Sequence, residues 1–158
     1  MRKRIGLVGG SGLYALPGLT VEEERTLETP FGVPSDAFVL GELSGVPVAF
    51  LARHGRGHRL LPSEVPYRAN VWGFRKLGCS YLVSSSACGS MKLEYRPTDI
   101  VLPDQLLDLT KGRASTFFGE GCVAHVSFSH PVSRYLAEAL AHARSHVERS
   151  EADHLIRL

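Results

Sequence analysis

The sequence predicts an α/β fold, and three observations carry that prediction. Short apolar runs, β-branched in part, end in loops of small residues, as buried strands do. A separate stretch from Tyr67 to Phe74 carries apolar residues at helical spacing, and two of the strand candidates empty into glycine-rich or serine-rich turns. With 158 residues, 44% of them hydrophobic and 22% charged, one domain with a real core is expected. Lys and Arg number 18 against 16 Asp and Glu, so the net charge of +2 makes no electrostatic case for nucleic acid or an anionic membrane surface. No apolar stretch approaches the length of a membrane span, and Met1-Arg2-Lys3-Arg4 leads into a run too short for a signal sequence, which sets a cytoplasmic expectation. The 3 cysteines, Cys79, Cys88 and Cys122, form no C-x-x-C pair, which suits buried thiols in a reducing compartment and indicates neither a disulfide framework nor a zinc site.

Taken in order, Ile5-Gly6-Leu7-Val8 reads as a first buried strand running into Gly9-Gly10-Ser11-Gly12. Without Cβ atoms in the way, backbone amides in such a turn can point inward at an anion, and Ser11 adds a hydroxyl; a plain tight turn is the alternative. Gly10, Gly12 and Ala15 also fit a loose dinucleotide fingerprint, but Pro17-Gly18 breaks the long helix that such a fingerprint should open. Val21 to Glu28 is acidic and polar, and Thr29 to Asp36 is dense in turn formers, so both read as surface connection. Ala37 to Leu43 and Val46 to Leu51 pair as a hairpin across Ser44-Gly45.

The second of those strands delivers Leu51-Ala52-Arg53-His54-Gly55-Arg56-Gly57-His58. Ligands of open α/β sheets collect beyond the carboxyl ends of the strands, where a guanidinium fork and an imidazole are placed to hold phosphate or carboxylate. A solvated basic loop is the alternative reading. Ser63 is then expected to cap a helix with Pro66 in its first turn, with Tyr67, Val71, Trp72 and Phe74 facing the core or an interface and Gly78 supplying the stop. Tyr81-Leu82-Val83 is the next strand, and it empties into Ser84-Ser85-Ser86-Ala87-Cys88-Gly89-Ser90. Two strand ends offering amides and hydroxyls, with Arg53 and His54 between them in sequence, would converge on one anion.

Further on, Asp99 to Leu102 and Val123 to Phe128 read as strands, Phe117-Phe118 as an aromatic pair packed in the ordinary way or lining a pocket or subunit contact, and Ser133 onward as a helix marked by Leu136, Leu140, Ala143 and Val147. His142 and His146 lie four apart on that helix, where a solvated face is expected rather than a metal site.

Together these stretches resemble the trimeric purine nucleoside phosphorylase superfamily, closest to the methylthioadenosine and methylthioinosine phosphorylases. The resemblance runs through Ile5–Leu13, Thr29–Asp36, Leu51–His58, Tyr67–Trp72, Ser86–Ser90, Asp104–Asp108 with Thr116–Phe118, and His125–His130. It implies a mixed central sheet flanked by helices, incomplete at the C-terminus. It implies a phosphate site made of Ser11, Arg53, His54, Ser86 and Ala87, with Ala87 acting through its backbone amide, and a catalytic candidate in His125, which reaches the ribose side of a neighbouring subunit's site. The implied reaction is phosphate-dependent cleavage of a purine nucleoside, methylthioadenosine or methylthioinosine, to free base and pentose 1-phosphate, in a homo-oligomer that is a trimer in the family. No cofactor or metal is implied, because inorganic phosphate is a co-substrate.

The resemblance fades after about Leu140, so residues 1–142 read as the N-terminal part of a phosphorylase domain and 143–158 as a divergent charged tail. The family's purine-recognising segments have no counterpart, which sets the expectation of a truncated chain. Two alternatives stand beside the enzyme reading. One is a non-catalytic chain that binds phosphate or a full-length relative; the other is a dinucleotide-binding oxidoreductase resting on Gly10, Gly12 and Ala15.

Overall fold

The computed structural model describes residues 3–10, 13 and 16–143, and the backbone of 155–157. Five strands form one mixed sheet: β1 (Arg4–Gly9), β2 (Leu19–Arg25), β3 (Phe38–Leu43), β4 (Val46–Ala52) and β5 (Cys79–Ser84). Their order is β2-β3-β4-β1-β5. β2 with β3 and β3 with β4 are antiparallel, whereas β1 runs parallel to both β4 and β5. The hairpin between β3 and β4 turns on Ser44 and Gly45, both with positive φ, the geometry that matches the right-handed twist of its strands.

Alternate residues of β3 and β4 build one buried face, with Phe38 and Leu40 beside Ala49 and Leu51. Helix α1 (Tyr67–Lys76) covers that face with Ala69, Asn70, Gly73 and Phe74. The helix comes close because Gly73 has no side chain: a Cβ there would press on the Phe38 ring. Phe38 and Phe74 meet edge to face at 5.0 Å, and Leu77 and Cys79 complete the cluster. Gly78, at φ +82°, stops the helix, and Arg75 and Lys76 place positive charge at its C-terminal end.

By internal contacts the chain forms two compact units, Met1–Ala87 with Gly112–Phe117, and Cys88–Lys111 with Phe118–Leu158. The second contains β6 (Ile100–Leu102) parallel to β7 (Leu155–Arg157), and helix α2 (Arg134–Ala143). Ser133 Oγ accepts a 3.4 Å hydrogen bond from the Leu136 amide and so caps α2, which buries Ala137. No helix among the described residues is long and apolar enough to cross a membrane.

Four readings of the sequence are corrected. Leu19–Arg25 is an edge strand rather than surface connection; it is outwardly charged because an unpaired edge is protected by charge. Ser63 does not cap α1, whose N-cap is Pro66 with no side-chain hydrogen bond. Tyr67 and Val71 do not face this chain's core, the first half of the reading given for them; the buried face is the one through Ala69, Asn70, Gly73 and Phe74. Residues 123–128 are irregular, with Val123, Val126 and Phe128 exposed, so His125 has no strand phase. Ser11, Gly12, Ala15, His146 and Val147 lie outside the described residues.

Candidate functional site

β1 lies between β4 and β5, which makes the loops leaving all three carboxyl ends neighbours. The ladder continues one step into each flanking loop, since the Arg53 amide donates to Gly9 O at 2.9 Å and the Ser85 amide to Val8 O at 3.0 Å. Arg53 then spans the ends. Its Nη1 donates to Ser85 O at 3.1 Å, and its Nη2 lies next to Gly10, where a Cβ would stand 3.7 Å away. A fixed guanidinium thus connects the loop after β5 to the loop after β1, and its charge meets no carboxylate among the described residues. Ser86 and Ala87 follow on the exposed loop, and the Ala87 amide has no acceptor among the described residues. A guanidinium and a backbone amide are donors of the kind that suit a tetrahedral oxyanion.

The loop after β4 is wound tightly, with positive φ at Gly55, Gly57 and His58. That winding folds His58 back onto His54, and the two rings stack at 4.4 Å with 18° between their planes. The His54 ring is buried, with Nδ1 at 2.9 Å from Leu60 O and Nε2 accepting from Arg53 Nε at 3.2 Å.

A second layer ties this loop to α1. Arg59 Nη2 donates to Ser35 O, the Ser35 amide donates to Asn70 Oδ1 at 2.8 Å, and Asn70 Nδ2 donates to Ser35 Oγ at 2.8 Å. Asp36 Oδ2 accepts from the Arg56 amide at 2.6 Å, and Arg56 pairs with Glu24 at 2.7 Å; that hydrogen bond raises the Arg56 pKa. Ser35, Asn70 and His58 were not singled out from the sequence as site residues. A polar Asn70 on the apolar face of a helix, between Ala69 and Gly73, is the signal that could have found the first pair.

The site residues divide between the two units. Arg53, His54, Ser86 and Ala87 belong to the first, and Arg53 is bonded to His54 and to Ser85, the neighbour of Ser86. His125 belongs to the second and sits on its exposed irregular stretch. Of the dinucleotide fingerprint, Gly12 and Ala15 lie outside the described residues; the chain turns at Gly18 and starts β2 at Leu19. Of the three cysteines only Cys79 is buried; Cys88 and Cys122 are exposed, contrary to the expectation of three buried thiols, because their loops bury little.

A family model described as the Phosphorylase superfamily matches residues 4–157. The chain belongs to that superfamily. It is 58% identical over 144 residues to an S-methyl-5'-thioadenosine phosphorylase of Synechocystis, covering 91% of this chain and 44% of that protein. It is 48% identical over 136 residues to one of Hyperthermus butylicus, covering 86% of this chain and 50% of that protein. The chain therefore spans about half the length of the curated relatives it matches. Among solved structures, a methylthioadenosine phosphorylase from an Antarctic soil metagenomic library superposes with a TM-score of 0.90 at 51% identity, over 99% of this chain and 54% of that one. The Schistosoma mansoni enzyme in complex with adenine superposes with a TM-score of 0.87 at 36% identity, over 93% and 55%. The mixed sheet with its helices is thus a phosphorylase fold.

Proposed function

We propose that this chain carries the phosphate half of a methylthioadenosine-type phosphorylase site. The observation that supports it most is the Arg53 guanidinium, bonded to Ser85 O and set beside Gly10 where three strand ends meet. In this reading Arg53, with His54 bonded to it, and the Ala87 amide form the phosphate site, and the hydroxyls of Ser11 and Ser86 complete the cradle. A phosphate oxygen attacks the anomeric carbon of methylthioadenosine or methylthioinosine. The new C–O bond forms as the bond to the purine breaks, and its electron pair leaves with the base, which takes up a proton. The chain's part is positioning and electrostatics: the fixed guanidinium aligns the nucleophile and offsets its charge while positive charge develops on the sugar. His125 would serve the ribose side of a neighbouring subunit's site, in a homo-oligomer acting in the cytoplasm. Residues 1–142 would make up this half of the domain, with 143–158 as a separate tail.

The test is phosphate-dependent release of free base from methylthioadenosine, methylthioinosine, inosine and adenosine. Arg53→Ala is expected to lower it at least about a hundredfold, because two hydrogen bonds from a charged donor are lost. Release that persists without phosphate, or with Arg53→Ala at full rate, would end this reading. A second reading, a non-catalytic chain that binds phosphate or a longer relative, is favoured by the exposed Met91, Leu93, Val123 and Val126. Phosphate-induced thermal stabilisation with no base release would select it.

A further inference from the structure

We propose that His54 acts on the phosphate site as a positioning residue, holding Arg53 through an unprotonated Nε2, and that His58 locks His54 in place by stacking on it. The proposal rests on the phosphate-site reading above and assigns His54 a different task within it.

The argument starts from the two ring nitrogens. Leu60 O can only accept, so the contact of 2.9 Å requires the proton on Nδ1. Arg53 Nε carries a hydrogen and can only donate, so the contact of 3.2 Å requires a lone pair on Nε2. Both conditions are met by one species, the neutral Nδ1–H tautomer. An imidazolium would set its Nε2–H against the Arg53 Nε–H, donor to donor. The ring consequently has no hydrogen left to offer an anion, and its charge-neutral form contributes no ion pair.

What His54 does instead is choose which edge of the guanidinium is free. A guanidinium can clasp an oxyanion side-on through Nε and Nη2, or end-on through Nη1 and Nη2. With Nε engaged by His54 the side-on edge is closed. Nη1 spends one hydrogen on Ser85 O and keeps the other, and Nη2 faces the Gly10 loop. Nη2, with the remaining Nη1 hydrogen, is therefore what Arg53 has left for an anion, on the side of the loop after β1.

His58 supplies the remaining constraint. Hydrogen bonds fix the His54 ring within its own plane, and the His58 ring covers one face at 4.4 Å. To reach that place the chain adopts left-handed backbone at His58 itself, φ +54°, which a non-glycine residue rarely accepts without a compensating contact. The compensation is the stack and the hydrogen bond from the His58 amide to Gly55 O at 3.0 Å.

The experiment uses the whole 158-residue chain and two readouts. The first is 15N NMR of the histidine rings with and without inorganic phosphate. The expected spectrum has a pyrrole-type Nδ1 and a pyridine-type Nε2 for His54, coupled across the hydrogen bond to Arg53 Nε. A His54 Nε2–H that appears or shifts on adding phosphate would overturn the proposal, since the ring would then be a direct ligand.

The second readout is calorimetric titration with inorganic phosphate. His54→Phe keeps a ring but no acceptor and is expected to weaken binding about tenfold, the loss from freeing one charged donor. His54→Gln offers a carbonyl to Arg53 and an amide hydrogen to Leu60 O, and is expected to recover most of it; His58→Ala should fall between. His54→Gln binding as poorly as His54→Phe would count against positioning. Arg53→Ala separates the two layers of argument. If the native chain takes up no phosphate, or Arg53→Ala leaves uptake unchanged, the phosphate-site reading fails, while the His54 tautomer and its coupling to Arg53 still decide the positioning claim in the NMR arm.

Discussion

Arg53 is legible from the sequence because it stands one residue past a buried strand, and the α/β rule for strand ends then places it. The direction in which its guanidinium points is set by His54 and Ser85 O, contacts that no spacing rule encodes. Charge alone is therefore not its role. Arg53→Lys keeps the charge but cannot reach both acceptors and still offer a fork, so phosphate affinity should fall about tenfold; calorimetric titration measures it, and full affinity in Arg53→Lys would reduce the residue to a point charge. Cys79 offers a second test at this scale. Burial among Phe38, Phe74 and Leu77 pushes its thiol from 9.0 to about 11, against a smaller opposing pull from Arg4. Because the folded pKa is the raised one, the unfolded thiol ionises first as pH climbs. The stabilisation is complete below about pH 9 and is lost between there and about pH 11, up to about 3 kcal/mol. Urea midpoints taken across that window should drop more steeply in the native chain than in Cys79→Ala, and a native-state thiol assay at pH 8 should count Cys88 and Cys122 but not Cys79.

Among the elements, β1, β4, β5 and α1 could be read from the sequence as short apolar runs or helical spacing, although only β4 buries most of its residues, and Tyr81 and Leu82 of β5 are exposed. β2 could not, since an edge strand with Glu22 to Arg25 facing water shows no alternation. Residues 123–128 failed in the opposite direction: alternating Val and Phe imitate a strand in a segment that the structure leaves irregular. The winding of the loop after β4 was half visible, as two glycines flanking Arg56, but the return of His58 onto His54 was not. That loop predicts an asymmetry between its glycines. Gly55 has φ +72°, and a Cβ there would meet Arg59 Nε at 2.8 Å, displacing the side chain that holds Ser35 O. Gly57 has φ +77° with open space around it. Gly57→Ala should therefore cost only the backbone strain, about 1 kcal/mol, and Gly55→Ala that strain plus the lost tie, about 2–3 kcal/mol. Urea unfolding of the two variants decides it, and equal costs would show that Arg59 moves aside freely.

For the whole molecule the governing fact is how much apolar surface the second unit leaves uncovered. Met91, Leu93, Leu107, Leu109, Val123 and Val126 are all exposed, and apolar side chains left uncovered in such number favour association. Self-association is the expected outcome, and sedimentation velocity over a range of concentrations should resolve a discrete assembly; a monomer throughout would rule it out. The proposed role of His125 turns that assembly into a sharper test. If each site combines Arg53 of one chain with His125 of the next, Arg53→Ala and His125→Ala chains are each inactive alone. Mixed in equal amounts and allowed to exchange subunits, a given site draws an intact Arg53 half the time and a neighbour with intact His125 half the time. Base release should then recover to about one quarter of the native rate, as a ring with heterologous contacts requires. No recovery, with exchange verified by sedimentation, would confine both residues to one chain or remove His125 from the chemistry, and activity in His125→Ala alone would remove it outright.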